Sequence, residues 1–317
     1  MSRLVPVGVL GGSGYTGLEV LRVLRGHDGV EVRFSTSDSE AGKPTPMPGL
    51  SFIPVAQARL EEIEVAFLCL PHGEAAAWVD KNGKSVPKIV DLTADHRPGS
   101  GRESEAVYGL PEVNPAEVAK ARLIANPGCY PTGVIMSLLP LQKAGVIDDA
   151  HPIMVSAASG VTGAGRAPKR ELLFGEVFGD YRPYGLGNDH RHLKEMRATL
   201  PGLQLLFVPH LLPVARGILE TIALPVRAGV DAARVKALWK NAYGDRGAVR
   251  VIDGAPSLAD VSGNDLLVLG AFDNVGLATP TVTVVAALDN LGKGAAGQAV
   301  QNMNLMLGYE SGRGIRC

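Results

Sequence analysis

The apolar run Val7-Gly8-Val9-Leu10 leads directly into Gly11-Gly12-Ser13-Gly14-Tyr15-Thr16-Gly17, and Leu18, Leu21 and Leu24 follow at helical spacing. Residues 12–17 spell G-x-G-x-x-G between a strand and a helix, and few chain segments narrow the choice of fold so far. The constraint is steric. Gly12 is expected to make the tight turn, Gly14 to let a pyrophosphate approach the backbone, and Gly17 to let the helix lie close to the sheet. Ser13, Tyr15 and Thr16 fall in the same cofactor-binding turn. The segment predicts a Rossmann-type parallel α/β sheet that holds a dinucleotide at the N-terminus of its first helix.

The next strand is expected over residues 30–34, followed by Ser35-Thr36-Ser37-Asp38-Ser39-Glu40. An NAD site usually ends this strand in an acidic residue that takes the ribose hydroxyls. Hydroxyls stand in its place here, which favours NADP(H), with Ser37 and Ser39 near the added phosphate and Asp38 as the opposing group. Residues 65–70 form a further buried strand candidate that ends at Pro71 and delivers a loop to the cofactor side. Cys69 reads as apolar filling in mid-strand.

Chemistry concentrates in Asn126-Pro127-Gly128-Cys129-Tyr130-Pro131-Thr132. Residues 123–125 read as a strand end, Pro127 and Gly128 as a turn, and Pro131 suits the first turn of the helix that Val134, Ile135, Leu138 and Leu139 continue. Cys129 then faces unpaired backbone N–H groups at the positive end of that helix, a setting that favours thiolate near neutral pH. Composition narrows the partners. The chain has 317 residues, 46% of them hydrophobic and 20% charged, with a formal net charge of −1. Neither nucleic acid nor an anionic membrane is therefore implied. No basic leader or membrane-spanning stretch is read. Cys69, Cys129 and Cys317 lack metal-ligand or redox-pair spacing, which points to a reducing cytoplasm without structural disulfides.

Downstream segments supply candidate partners for the thiol. A strand over residues 88–92 precedes Thr93-Ala94-Asp95-His96-Arg97, where Arg97 is placed to meet a phosphate, and the glycine-rich run over residues 156–166 reads as a substrate loop ending in Arg166. Asp189-His190-Arg191-His192-Leu193-Lys194-Glu195 reads as a helix start capped by Asp189, with His192 and Glu195 on one side. Either His190 or His192 can activate Cys129 and protonate a developing alkoxide. The H-x-H spacing lacks further ligands, so no metal is expected. Beyond a strand over residues 203–208, Arg216 offers a planar fork for a substrate carboxylate. A strand over residues 282–287 and Asn290 then lead to a helix expected over residues 295–307. Its return to the nucleotide domain makes the substrate domain an insertion: residues 1–135 with 288–317 bind NADP, and residues 136–287 carry the substrate.

These motifs, with Leu70-Pro71-His72-Gly73, Asp91 to Arg97, His190-Arg191-His192 and residues 290–297, stand in the order shown by the aspartate-semialdehyde dehydrogenase-like family. Over nearly its whole length the chain resembles that family's N-acetyl-gamma-glutamyl-phosphate reductases. The resemblance implies Cys129 as nucleophile, an acid/base within His190 to His192, substrate contacts from Arg97, Arg166, Glu195 and Arg216, and cofactor contacts that extend to Pro71 and Asn290. It further implies an α+β mixed-sheet substrate domain, a homo-oligomer, and NADPH-dependent reduction of a small acyl phosphate with release of inorganic phosphate, in arginine biosynthesis. Two departures bear on substrate scope and cofactor grip: Lys194-Glu195 replaces a Pro-Glu pair common in relatives, and Asp38 stands where relatives are commonly polar or basic. A related branch reduces acyl phosphates attached to a carrier protein, and this is the nearest alternative. From another class, a non-enzymatic NADP sensor would need no thiol at Cys129. A serine hydrolase would need a G-x-S-x-G elbow, and none accompanies the histidines.

Overall fold

Apolar runs too short for helices and bounded by Gly or Pro become strands buried on both faces. In the computed structural model, which describes residues 3–244 and 247–317, they gather into two units. One comprises the chain up to Gly128 together with Ala295–Arg316, the other Cys129–Gly294. The first division thus falls at Gly128/Cys129 and not at 135/136, because the helix that starts at Cys129 packs on helices and strands of the second unit.

In the first unit the strands are β1 (Val5–Leu10), β2 (Val30–Thr36), β3 (Phe52–Ile53), β4 (Val65–Leu68), β5 (Lys88–Asp91), β6 (Val107–Tyr108) and β7 (Leu123–Ala125). They form a seven-stranded sheet in the order β3-β2-β1-β4-β5-β7-β6, with every adjacent pair parallel. Its helices are α1 (Tyr15–Leu24), α2 (Ala75–Asn82), α3 (Pro115–Lys120) and the C-terminal helix Gly297–Met306. Val7, Val9, Phe67 and Val90 pack on one face against Val20 and Leu24 of α1 and Val300 and Met303 of the C-terminal helix. Leu10, Phe34, Leu68 and Ile89 pack on the other, with Ala75. Strand order reverses between β1 and β4, so the glycine turn that follows β1 lies at the switch point where such sheets take ligands.

The second unit opens with α4 (Cys129–Lys143) and continues through β8 (Ile153–Gly160), α5 (Phe174–Val177), β9 (Arg182–Pro183), α6 (His192–Thr199), β10 (Leu205–Leu212) and β11 (Ile218–Pro225). It ends with α7 (Ala232–Tyr243), β12 (Val249–Val251), β13 (Leu267–Asp273) and β14 (Thr281–Leu288). The sheet order is β12-β13-β14-β11-β8-β10-β9. Only β8 with β10 and β12 with β13 are parallel. The fold is therefore a Rossmann-type unit carrying an inserted α+β mixed-sheet unit.

Helix α4 and the end of β8 each depend on a local solution. Pro140 lies inside α4 and cannot donate to Met136 O; the Tyr243 hydroxyl of α7 donates there instead, at 2.6 Å, and keeps the helix continuous. Strands β10 and β11 flank β8, so the turn that joins them must cross the end of β8. It does so at Gly160, where a Cβ would lie 2.8 Å from Arg216 N, and Gly217 completes the turn with φ +109°.

Candidate active site

Strand β2 runs through Thr36, beyond the expected end at residue 34, and this alters the nucleotide end. Ser35 and Thr36 are fully buried beneath the glycine turn. Thr36 Oγ1 accepts the Gly11 N–H at 3.1 Å, and Thr36 O accepts that of Gly12 at 2.9 Å. The left-handed residue is Gly11, at φ +76°, so the tight-turn role expected of Gly12 belongs to its neighbour. A Cβ on Gly12 would instead collide with Ser35 Oγ. One on Gly17 would stand 2.6 Å from Gly12 Cα, whereas one on Gly14 would meet nothing nearer than Gly11 O at 3.7 Å. Backbone at Gly14 is thus open to approach, and no acidic side chain in the first turn of α1 opposes an anion there.

The first residue past β2 is Ser37, whose Oγ lies 2.8 Å from Ser13 Oγ and 3.4 Å from Ser39 Oγ. Asp38 is turned to other work: its carboxylate accepts the Val55 N–H at 2.9 Å. Three clustered hydroxyls above an open glycine backbone fit a dinucleotide with a phosphorylated ribose. Pro71 is exposed shortly after β4. Cys69 follows β4 and does not sit within it, and burial, then the Asp91 carboxylate, pushes its thiol well up, away from reactivity.

Arg97 is buried, and its guanidinium donates from Nε to Asn126 O at 2.7 Å and from Nη2 to Leu92 O at 2.8 Å. Those bonds brace the turn that precedes Cys129. Asn126 is fixed from the other side, donating to Ala295 O at 3.1 Å and accepting from Asn302 Nδ2 at 3.0 Å.

Cys129 is the first residue of α4, a 15-residue helix without an acidic side chain in its first turn. Gly294 rests against it; a Cβ added there would lie 2.9 Å from Cys129 Cβ. The Tyr130 ring packs edge-on against His190 and His192, at 5.9 and 5.8 Å between centroids, and the two imidazoles are 4.9 Å apart. Tyr184 closes the cluster, with its hydroxyl 3.0 Å from that of Tyr130. Burial raises the Tyr130 phenol and pushes that of Tyr184 up to about 12, and a charge on Cys129 reaches both rings.

The histidines differ. His190 is partly exposed, and desolvation, then Arg191, lowers its pKa to about 4. Its Nδ1 accepts the His192 N–H at 3.2 Å, which leaves the ring proton of the neutral form on Nε2. His192 is buried and begins α6, with Glu195 buried on the same side. Asp189 does not cap this helix: Arg191 occupies the cap position and makes no side-chain cap bond. The clamp is Asn188, in the left-handed region at φ 60°, which donates to Leu205 O and accepts from Phe207 N, both at 2.9 Å, and so ties the histidine segment to β10.

Arg216, from the turn over β8, meets the fully buried Asp289 at 2.9 Å. Asn290 accepts the Gly217 N–H at 2.8 Å and donates to Thr162 Oγ1 at 2.9 Å. Both ends of its amide hold the substrate unit together. Arg166 is exposed in the loop after β8. Among the described residues, no group of His, Cys, Asp and Glu is arranged to hold a metal ion.

Comparison with known proteins places this geometry. The family model for the semialdehyde dehydrogenase dimerisation domain matches residues 129–290, and that for the semialdehyde dehydrogenase NAD binding domain matches residues 6–121. An N-acetyl-gamma-glutamyl-phosphate reductase of Geobacter sp. (strain M21) is 42% identical, with 98% of each chain covered. One of Thiobacillus denitrificans is 38% identical over 96% of each. The chain belongs to the semialdehyde dehydrogenase family, among its N-acetyl-gamma-glutamyl-phosphate reductases. The family fold extends to solved structures: Vibrio cholerae aspartate semialdehyde dehydrogenase II, complexed with ASA, is similar with a TM-score of 0.81 and 22% identity, covering 96% of this chain and 99% of that one. Candida albicans aspartate semialdehyde dehydrogenase with NADP gives 0.73 and 17%, covering 96% and 99%.

Within this reductase family member, sequence reasoning passed over Tyr130, Tyr184, Asn188 and Asp289. Tyr130 adjoins the nucleophile and Asn188 stands two residues before His190, so chain proximity was a usable signal for both. Nothing local marks Tyr184 or Asp289. Among the described residues, no helix is long and apolar enough to cross a membrane.

Proposed function

We propose that the chain reduces N-acetyl-glutamyl 5-phosphate to N-acetyl-glutamate 5-semialdehyde and phosphate, with NADPH, through a thioester on Cys129. The observation that carries this reading is a cysteine at the first position of a helix, followed at once by Tyr130, whose ring packs on His190 and His192 and whose hydroxyl meets that of Tyr184, in a chain of this family. NADPH, when bound, supplies the hydride; Gly12 to Gly17 hold its pyrophosphate, and Ser13, Ser37 and Ser39 favour it over NADH. A cytoplasmic homo-oligomer is part of the same reading, supported by the dimerisation-domain match and three cysteines outside any disulfide.

Each residue has its own part in the reaction. The Cys129 thiolate adds to the acyl carbon, and the bond to the phosphate oxygen breaks with its electron pair. The departing phosphate takes a proton from water. Once hydride has reached the thioester carbon, His190 donates a hydrogen bond from Nε2–H to the developing oxyanion, whose electron pair returns to re-form the carbonyl as the carbon–sulfur bond breaks and the aldehyde leaves. Neutrality near pH 7 keeps the Nε2–H of His190 available as that donor. Arg216 holds the retained carboxylate and Arg166 meets the phosphate. Arg97, its guanidinium bonded to two carbonyls, acts on the nucleophile turn, and buried Glu195 orients His192.

NADPH consumption with free and with carrier-linked acyl phosphate tests the reading. Turnover of the free substrate is expected. Turnover of the carrier-linked one alone would move the chain to the carrier branch, and cofactor binding without any turnover would leave the sensor.

A further inference from the structure

Both carboxylate oxygens of Asp289 are engaged. Oδ2 meets Arg216 Nε at 2.9 Å and accepts the Gly263 N–H at 2.7 Å, while Oδ1 accepts the N–H groups of Leu291 and Gly292 at 2.8 and 3.2 Å. Its carbonyl oxygen accepts the Gly294 N–H at 2.9 Å, and Gly294 is the residue that abuts Cys129. One residue therefore fixes a guanidinium and, through a turn of main chain, the backbone beside the nucleophile. Sheet register creates the meeting: Ile218 pairs with Leu288, which brings Arg216, two residues before β11, and Asp289, directly after β14, to the same end of the two strands.

We propose that Asp289 is a positioning residue that presents Arg216 to the substrate's carboxylate. This rests on the proposed role of Arg216 as the group that holds that carboxylate. Arginine on its flexible stem loses rotamer freedom when it grips a ligand, and a partner already holding Nε removes much of that cost beforehand. Three backbone donors hold the Asp289 carboxylate in place, so it anchors the guanidinium plane at Nε while the rest of the group addresses a second carboxylate. The Arg216 side chain keeps 21% of its surface, with Nη2 itself buried.

The test is a selectivity ratio: kcat/KM for N-acetyl-glutamyl phosphate over kcat/KM for the same acyl phosphate lacking the α-carboxylate. Both values scale with the folded fraction, so loss of folded enzyme cancels. Asp289→Asn should lower the ratio about tenfold, the scale of a charge-assisted hydrogen bond, with NADPH binding unchanged. Arg216→Ala should lower it at least as far, and the double variant should match Arg216→Ala. A full Asp289→Asn effect persisting in the Arg216→Ala background would overturn the positioning role. An unchanged ratio in Arg216→Ala would remove the carboxylate reading and the proposal with it. Should Asp289→Asn fail to fold, Arg216→Lys carries the test with Asp289 intact: an ammonium drawn onto Asp289 should give the Arg216→Ala ratio, and a retained wild-type ratio would overturn the proposal.

Discussion

The glycine turn of the first unit and the cysteine pocket of the second reach function by opposite routes. In the turn, Gly11, Gly12, Gly14 and Gly17 lie within one stretch of chain; a Cβ on Gly11 would run into the Cys69 backbone, one on Gly12 into Ser35 Oγ and one on Gly17 into Gly12 Cα, while Gly14 stays open. In the pocket, Tyr184, Asn188, His190 and His192 come from a segment well downstream of Cys129, and β10 is what holds that segment in place. A local motif specifies its own geometry. An assembled pocket inherits its geometry from sheet register, so its parts should be separable by mutation in a way the turn's are not.

The largest effect should come from the pocket. Cys129→Ser should reduce turnover by on the order of 10⁴-fold or more, because a serine hydroxyl does not replace the thiolate. NADPH binding should survive, since every glycine of the turn is untouched. Quenched-flow trapping of the thioester in the parent, and its absence in the variant, would sharpen the contrast; near-normal reduction by the variant would break it.

The histidines come next. His190→Asn should cost about 10²–10⁴-fold in the chemical step, the usual contribution of a positioned acid or base, and His192→Asn less, with its effect mainly on KM. Because desolvation holds the His190 pKa at about 4, the acid limb of kcat/KM in the parent should lie near that value and not near 6.5. A single limb at 6.5, or a larger chemical-step loss in His192→Asn, would reverse the assignment of the two rings.

This contrast also explains what was legible from residue order. The parallel sheet, the dinucleotide turn and the helix at Cys129 follow from short patterns whose causes are local. The tight turn moved from Gly12 to Gly11 because β2 extends to Thr36, and strand ends depend on pairing with a neighbour that residue order does not reveal. Asn290 and Arg97 looked like ligand contacts because both sit in turns. Residue order gave no sign of the bonds each makes within the chain, Asn290 with Gly217 and Thr162, Arg97 with Asn126 and Leu92. A polar residue in a loop satisfies whichever backbone group the fold brings to it.

A smaller pair of effects should split the turn itself. A methyl at Gly14 meets only Gly11 O at 3.7 Å, so Gly14→Ala should fold as the parent does. It should nevertheless weaken NADPH by about tenfold or more, roughly 1.4 kcal/mol, as the pyrophosphate loses its approach. Gly17→Ala presses on Gly12 Cα at 2.6 Å, and should cost about 1–3 kcal/mol of stability as overpacking does. Thermal unfolding and cofactor titration of both variants decide the matter; equal loss of stability in the two would show that the turn does not divide into binding and packing glycines.

The smallest effect concerns a carboxyl that touches no reacting atom. Glu220 is fully buried on β11, flanked across the sheet by Ala157 and Ala286, and its oxygens crowd the position that a Cβ on Gly133 of α4 would take. Neither oxygen has a hydrogen-bond partner, and burial raises its pKa well above the ordinary glutamate value. The neutral acid is therefore the folded form. With a folded pKa above the unfolded one, the unfolded state releases its proton first as pH rises. The native state thus keeps its full share of stability below the ordinary glutamate pKa and loses it as pH climbs toward the raised value, at a limiting slope of about 1.4 kcal/mol per pH unit. Glu220→Gln keeps the shape and removes the titration, so urea unfolding of the variant should depend less on pH above the ordinary glutamate range, with Cys129 chemistry little changed. Parallel slopes in parent and variant would mean that Glu220 ionises alike in both states, and that the floor beneath the nucleophile helix is wetter than its packing indicates.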